Sequence, residues 1–224
     1  MKRAVGGSMS ATLTYFNGRG HGERIRYALA AAGIPFTEAC LSQRGDMDAV
    51  RPRCLFGQVP LLDIDGVACV QSWATVRHIA AVSGMVPKEP ALAWRADAVG
   101  EQVRDFFTVG NLVGFGWGER ETDLAKAAAA AASHLPRFEA LLLEGAPFVC
   151  GAEACWADYQ LLYALNYCED ILPGTLTRFS RLATLRHTLN GLPHMASFLA
   201  SMAKPLVDEQ YKKEVKEAQL AAEL

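Results

Sequence analysis

The strand–helix–strand pattern near the start of the chain constrains its fold most. Residues 12–16 alternate like a strand, glycines at 18, 20 and 22 break the chain, and helical spacing begins at Ile25. A second alternating segment follows at residues 36–40. Because a helix separates the two strands, we predict that they pair in parallel. Tyr15, near the carboxyl end of the first strand, then lies where open α/β sheets usually bind ligands.

Residues 61–84 predict a hairpin followed by a helix. Two short strands, at residues 61–64 and 67–70, flank Asp65-Gly66, which is a strong two-residue hairpin signal. Ser72 is a suitable N-cap for a helix over residues 73–82. Residues 44–56 show no clear period, so we expect a loop with at most a helical turn or two. Residues 11–84 thus predict β-α-β followed by β-β-α, with a mixed four-stranded sheet.

The chain beyond the linker at residues 85–91 is helical in pattern. Long helices are predicted over 92–116 and 123–143, shorter ones over 156–167, 178–189 and 193–202, and a surface helix within 207–224. The predicted fold class is therefore α/β plus all-α, with an α/β domain at 9–84 and a helical domain at 92–224. Residues 1–8 lack an apolar segment and contain Gly-Gly-Ser, so we interpret them as a leader added for expression.

Composition excludes several classes of protein. The chain has 224 residues, 51% of them hydrophobic, which is ample for a core. Its net charge of -2 argues against a nucleic-acid or anionic membrane partner. No apolar run approaches the roughly 20 residues of a membrane span. The six cysteines form no Cys-x-x-Cys pair, so we predict reduced core residues of a cytoplasmic protein, with no metal site.

Two further local features favour a bound anion or peptide. A proline suits the start of a strand, and a cis bond at Val59-Pro60 would fit a turn that shapes a site. Gln71-Ser72 opens a helix, where free N–H groups and the dipole favour an anion. An extended peptide could lie along this edge with its carboxylate at Ser72. The simpler interpretations stay open, namely Tyr15 as a packed edge residue and Ser72 as an ordinary cap.

Four motifs, taken in order and spacing, resemble the glutathione transferases, and most of all their tyrosine-using sigma class. The motifs are Tyr15-Phe16-Asn17-x-Arg19-Gly20, Phe56-Gly57-Gln58-Val59-Pro60, Asp65-Gly66 and Gln71-Ser72. The similarity covers nearly all of residues 12–83. Cys155-Trp156-Ala157-Asp158 is similar to the family's Ser/Thr-x-x-Asp helix start, but a cysteine caps poorly, at a cost of about 1 kcal/mol. The resemblance implies a thioredoxin-like N-terminal domain, an all-helical C-terminal domain and a homodimer.

The resemblance also implies glutathione as co-substrate and a set of site residues. Tyr15 would donate a hydrogen bond to the glutathione sulfur and so favour the thiolate, which is the nucleophile. Glu101 would reach the glutathione of the partner subunit. The implied glutathione-binding residues are Tyr15, Arg51, Gln58, Val59, Pro60, Gln71, Ser72 and Glu101. The implied electrophile pocket, between the domains, comprises Phe16, Gly18, Phe107, Asn111 and Trp117.

Two residues depart from the family pattern. His21 stands where these enzymes commonly have an arginine near the sulfur, and Met47 stands where sigma-like members often have tryptophan. Because a neutral imidazole supplies less positive potential than a guanidinium, we expect weaker activation of glutathione.

The predicted function is a cytoplasmic transferase that conjugates glutathione to hydrophobic electrophiles. Two alternatives remain open. One is a glutathione-dependent isomerase or peroxidase, such as a prostaglandin-isomerase-like enzyme. The other is a ligand-binding or structural relative without enzymatic activity. The residues do not predict which electrophile is used.

Overall fold

A mixed four-stranded sheet forms the first part of the molecule. The computed structural model describes residues 10–142, 146–201, 204 and 206–219, so the predicted leader at 1–8 lies outside it. The strands are β1 (Ala11–Phe16), β2 (Phe36–Leu41), β3 (Leu61–Ile64) and β4 (Val67–Cys69), in the order β2-β1-β3-β4. The β1–β2 pair is parallel and the other two pairs are antiparallel. The predicted sheet is confirmed.

Three helices accompany the sheet. They are α1 (Glu23–Ala31), α2 (Arg44–Val50) and α3 (Ser72–Ser83), and a 3-10 turn at Arg51–Arg53 follows α2. The crossover helix α1 buries Ile25, Ala28 and Leu29 completely or nearly so. The two turns of α2 agree with the short helical segment expected between residues 44 and 56.

The second part of the described chain is helical, as predicted. Its helices are α4 (Pro90–Val109), α5 (Arg120–Leu141), α6 (Trp156–Ile171), α7 (Ser180–Asn190), α8 (Pro193–Ser201) and α9 (Glu209–Gln219). Helix α4 does not continue to residue 116 as expected. Gly110 ends it, and Asn111 has a φ of 49°, which no continuing helix allows. Residues 110–117 instead form a turn that faces α9.

The first turn of α6 is organised by a fully buried aspartate. Asp158 accepts hydrogen bonds from the backbone N–H of Cys155 at 2.9 Å and of Val149 at 2.8 Å. Because two otherwise orphaned donors bind this carboxylate, Asp158 stabilises the helix start where a cysteine cap is weak. The same carboxylate also fixes the loop that precedes the helix.

Two expectations about the chain need correction. The six cysteines are free, but Cys40 is exposed on the edge strand β2, so not all of them are core residues. The tail forms a helix, α9, but one face of it is buried through Tyr211, Val215 and Ala218, which pack toward β1 and α2. It therefore covers other elements and is not a simple surface helix. In the described parts of the chain, no helix is long and apolar enough to cross a membrane.

Candidate active site

A cavity of about 960 Å³ lies between the sheet and the helical region. One wall comes from the end of β1, the 3-10 turn and the start of α3, and the other comes from α4, the turn after it and α9. Its volume is within the range of small-molecule sites. Of the predicted site residues, eleven line this cavity: Tyr15, Phe16, Arg51, Gln58, Val59, Pro60, Gln71, Ser72, Phe107, Asn111 and Trp117.

Tyr15 lines the cavity and is only 6% exposed. Its hydroxyl oxygen accepts a hydrogen bond from the backbone N–H of His21 at 3.0 Å. Burial raises the pKa of Tyr15, so the phenol keeps its proton near neutral pH. Gly20, with a φ of 41°, allows this approach, because a Cβ there would lie 2.5 Å from the hydroxyl oxygen. The Tyr15 hydroxyl can therefore donate a hydrogen bond to a ligand.

The polar end of the cavity is formed by the strand edge at Val59 and the start of α3. The Val59–Pro60 bond is cis. Gln71 Nε2 donates to Gln58 Oε1 at 3.3 Å, which links the two segments. Gln71 has a φ of 65°, and a conformation of this kind costs a non-glycine residue about 1–3 kcal/mol. Buried Ser72 follows it in the first turn of α3, whose N–H groups have no partner within the helix.

Arg51 and Met47 lie at the same end of the cavity. The Nε atom of Arg51 is buried and has no hydrogen-bond partner. A buried guanidinium donor is costly when it is unmet, and carboxylates are its best acceptors. The position therefore suits the carboxylate of a bound ligand.

The opposite side of the cavity is aromatic. Phe16, Phe107 and Trp117 line it, and Tyr211 of α9 contacts two of them edge-on, with ring centroids 6.4 Å from Phe16 and 6.0 Å from Trp117. Gly18, predicted to line this side, is placed beneath the Tyr211 ring instead. This face suits an apolar ligand.

Sequence reasoning missed Tyr211, whose hydroxyl lies close to that of Tyr15. Each hydroxyl affects the pKa of the other, and a Cβ on Gly20 would lie 2.8 Å from the Tyr211 oxygen. The signal was present, because Tyr211, Val215 and Ala218 have the i, i+4, i+7 spacing of a buried helix face. The tail thus completes the wall of the cavity.

Among the predicted glutathione-binding residues, Glu101 is the one that does not line the cavity. It pairs with Arg77 of α3 and, at 2.6 Å, with Arg104 of its own helix. Arg104 itself lines the cavity. A contact between Glu101 and the glutathione of a second subunit stays a prediction.

His21 lies at the rim of the cavity and keeps a large exposed fraction. Partial desolvation of its ring against the cavity wall and repulsion from Arg24 lower the pKa of His21 to about 4. Its imidazole is therefore neutral at pH 7, as the sequence analysis assumed. Sequence reasoning also missed Arg24 and Trp73, which line the cavity nearby.

Fold and cavity together define a class of enzyme. A thioredoxin-like sheet holds a buried tyrosine hydroxyl beside the polar end of the cavity, and an all-helical region supplies an apolar wall. Such an arrangement suits an enzyme that binds a thiol peptide and brings its sulfur to an apolar partner. Among the described residues, no group of three or more His, Cys, Asp or Glu side chains could hold a metal ion.

Comparison with known proteins identifies the family. Residues 11–81 match the N-terminal domain of glutathione S-transferase, and residues 116–202 match its C-terminal domain. Glutathione S-transferase alpha-3 of Rattus norvegicus is 34% identical over 207 residues, which cover 88% of this chain and 93% of that protein. Glutathione S-transferase 1 of Ascaris suum is 32% identical over 201 residues, which cover 86% of this chain and 96% of that protein. The chain belongs to the glutathione S-transferase family, a family of transferases with glutathione as co-substrate, as the motifs predicted.

Solved structures agree with this assignment. The crystal structure of the glutathione S-transferase from Ascaris lumbricoides is 31% identical to this chain and has a TM-score of 0.76. The match covers 88% of this chain and 100% of that one. The structure of NaGST-2, at 21% identity, has a TM-score of 0.77 and supports the fold alone.

Proposed function

We propose that the chain transfers the glutathione thiolate to hydrophobic electrophiles and that Tyr15 is its catalytic residue. The observation that carries this proposal is the position of the Tyr15 hydroxyl. It is buried and protonated, and it lies between a polar peptide-binding edge and an aromatic wall. A sulfur held against it would face an apolar molecule packed on Phe16, Phe107 and Trp117, with Asn111 at the rim.

Glutathione fits the polar end of the cavity by its chemistry. The backbone of Val59, before Pro60, would pair with the cysteinyl residue of the tripeptide. Gln71 and Ser72 would hold the γ-glutamyl carboxylate at the start of α3, with Gln58 fixing Gln71. Arg51, whose Nε lacks an acceptor, would hold the glycine carboxylate.

The proposed reaction has two steps. The bound thiol first loses its proton to solvent, and the Tyr15 hydroxyl donates a hydrogen bond to the sulfur anion. The thiolate then forms a carbon–sulfur bond to the electrophile, whose leaving group or π-electron pair carries away the negative charge. A thiol pKa lowered by two units corresponds to about 2.7 kcal/mol of thiolate stabilisation. Proximity of the two bound reactants supplies the remaining acceleration.

The assembly that we propose is a cytoplasmic homodimer. Leu55 is 79% exposed, Phe56 is 61% exposed and Trp94 is 70% exposed, which is unusual for such large apolar side chains on a monomer. Free cysteines fit a reducing compartment. We also retain the domain boundaries, with a glutathione-binding domain at 9–84, a linker at 85–91 and a helical domain at 92–224.

The test is an ultraviolet titration of the thiolate of bound glutathione. In the unaltered protein we expect the thiolate band well below pH 8, against a free thiol pKa of about 8.5. Tyr15→Phe should raise the bound thiol pKa by about 1–2 units, because the hydrogen bond to the charged form is lost. Tyr159→Phe, a buried tyrosine of α6 away from the cavity, is the matched control. Bound glutathione that titrates as it does in water would refute the proposal.

A further inference from the structure

Arg24, in the first turn of α1, is a buried cation without an anionic partner. Its side chain is 2% exposed, and its Nε atom has no hydrogen-bond partner. In the described parts of the chain no carboxylate pairs with it. The adjacent Glu23 binds Arg26 at 2.9 Å instead. A guanidinium keeps its charge in proteins, so an unneutralised positive charge remains at this position.

Aromatic rings hold this charge between the two halves of the cavity. The Cζ atom of Arg24 lies 4.4 Å from the centroid of the Trp73 ring and 5.5 Å from that of Phe107. Trp73 directly follows Ser72 at the polar end, whereas Phe107 belongs to the aromatic wall. Ring faces attract a cation but do not neutralise it. The guanidinium therefore lies between the polar end of the cavity and its aromatic wall.

The titratable groups that face Arg24 are neutral near pH 7. They are Tyr15 of β1, His21 of the loop before α1, and Tyr163 and Tyr167 of α6. The Tyr163 hydroxyl is itself buried without a hydrogen bond of adequate geometry, although it lies close to the guanidinium.

Nearby cations are already neutralised. Arg26 is bound by both Glu23 and Glu38, and Arg19 is bound by Asp170. Burial lowers the pKa of Arg24, which is the mark of a cation that lacks an anion. Arg24 also repels a proton from His21, so its field reaches the neighbourhood of Tyr15.

We propose that Arg24 supplies the positive charge that stabilises the glutathione thiolate beside the Tyr15 hydroxyl. This inference rests on the proposed transferase function. In this chain, Arg24 would supply the positive charge that an arginine would supply at the position occupied by His21. A cation within a few ångström of a buried thiol lowers the thiol pKa by about 1–3 units, and burial limits screening by salt. The weaker activation expected from His21 is thereby offset.

The first experiment measures the thiol pKa of bound glutathione in charge variants. Arg24→Met removes the charge while keeping an unbranched chain, and Arg24→Lys keeps the charge. We expect the thiol pKa to rise by at least one unit in Arg24→Met, which is tenfold less thiolate at a pH below the pKa, and to rise less in Arg24→Lys. Arg178→Met, an exposed arginine away from the cavity, is the matched control and should leave the thiol pKa unchanged.

The second experiment needs no turnover and tolerates a partly destabilised variant. S-methylglutathione cannot ionise at sulfur, so the affinity ratio of glutathione to S-methylglutathione reports thiolate stabilisation. This ratio should rise from pH 6 to pH 8 in the unaltered protein and fall about tenfold at pH 8 in Arg24→Met.

The outcomes separate this inference from the proposed function. A thiol pKa that is low in the unaltered protein and unchanged in Arg24→Met overturns the role of Arg24 alone. Equal rises in Arg24→Met and Arg24→Lys overturn it as well, because charge would then be irrelevant. A thiol that already titrates as free glutathione in the unaltered protein refutes the proposed function itself.

Discussion

Two arginine side chains on the cavity wall each carry a buried Nε atom without a hydrogen-bond partner. Arg51 and Arg24 lie at different places in the proposed glutathione site: Arg51 begins the 3-10 turn, and Arg24 lies beside Trp73. Leaving such donors unmet costs about 1–3 kcal/mol each, and more for charged groups. A ligand with a carboxylate and a thiolate at these positions would recover that cost. At the residue scale, these two unpaired donors support the proposal that the cavity binds an anionic peptide.

Asp158 is the residue on which the start of α6 depends. Asp158→Ala would leave the backbone N–H groups of Cys155 and Val149 without their acceptor. We expect the free energy of unfolding to fall by about 2–4 kcal/mol, because both donors are buried. Urea denaturation followed by circular dichroism measures it. Glu153→Ala, in the same loop but exposed, is the control and should change stability by less than about 0.5 kcal/mol; a similar loss in both variants would contradict the assignment.

Whether the role of a single residue could be predicted depends on how far its contact partners lie from it in the sequence. Tyr15, Val59 and Ser72 could be predicted because strand ends, X-Pro and helix starts are local patterns. Arg24 could not, because its burial depends on α3, α4 and α6, which the sequence separates from it by about 50 residues or more. Charged residues are rarely buried, so the residue type alone predicts that Arg24 is exposed.

At the scale of elements, α9 closes the cavity by lying directly on Gly18. A Cβ at Gly18 would overlap the Tyr211 ring, so Gly18→Ala should displace α9. Overpacking of this kind costs about 1–3 kcal/mol, which would raise the open population of α9 about tenfold. Limited trypsin cleavage at Lys212 and Lys213 measures that population.

The control for this experiment is Gly45→Ala in α2. A Cβ there would contact nothing within 4 Å. Cleavage that is equally fast in Gly45→Ala and Gly18→Ala would show that the Tyr211 contact does not hold the helix.

Glu38 of β2 joins its strand to α1 and to Lys204, which lies between α8 and α9 in the sequence. It binds Arg26 of α1 at 2.6 Å and Lys204 at 2.7 Å. Burial alone would raise the pKa of Glu38, but these two cations outweigh it and hold the pKa below its usual 4.5. A depressed pKa contributes stability that is present above the unfolded pKa and is lost as pH falls through the folded one.

Glu38→Gln should therefore lower the free energy of unfolding by about 1–2 kcal/mol at pH 7. The difference from the unaltered protein should shrink as pH falls below about 4.5. Urea melts at pH 7 and pH 3 provide the comparison. Glu209→Gln, which removes an exposed pair with Lys212, should cost less than about 0.5 kcal/mol. If Glu38→Gln lowered the free energy of unfolding equally at pH 7 and pH 3, the loss would come from packing and not from the charge of Glu38.

Elements were more predictable than their ends. Strong local periodicity indicated every strand and each long helix, whereas the end of α4 depends on Gly110 and Asn111 turning toward α9. The buried face of α9 was overlooked because Glu, Lys and Ala dominate its composition. The end of α4 and the buried face of α9 both depend on tertiary packing, and a local sequence pattern carries no information about that packing.

At the scale of the whole molecule, exposed apolar side chains support the proposed dimer. Phe56 and Leu55 project after the 3-10 turn, beside the polar end of the cavity. Phe56→Ser should weaken self-association, because a large apolar side chain would no longer be buried between subunits. Sedimentation analysis should show the unaltered protein at twice its 24.3 kDa chain mass, with the variant shifted toward monomer.

The control is Val67→Ser, on the edge strand β4, where 46% of the valine is exposed. It should leave the sedimentation coefficient unchanged. An unaltered protein that sediments as a monomer at micromolar concentration would exclude the dimer.

The two-part architecture was predictable, but the complete cavity was not. Sheet and helices follow from local patterns, whereas the cavity joins segments near residues 15, 51, 107 and 211. No periodicity connects positions so far apart. The polar half of the cavity could be predicted because its motifs lie close together in the first 84 residues. The part supplied by α9 was missed because α9 lies far from those motifs in the sequence.

The Tyr211–Gly18 contact also has a consequence for biosynthesis. A ribosome releases β1 long before α9, and Trp117, the last aromatic residue of the cleft outside α9, precedes Tyr211 by about 90 residues, so the nascent chain carries an open, aromatic-lined cleft over that stretch of its synthesis. At about 5–20 residues per second, that interval lasts roughly 5–20 seconds. During this time the cleft is a surface that chaperones can recognise. Tyr211 can cover Gly18 only when nearly 200 residues beyond Gly18 have been translated.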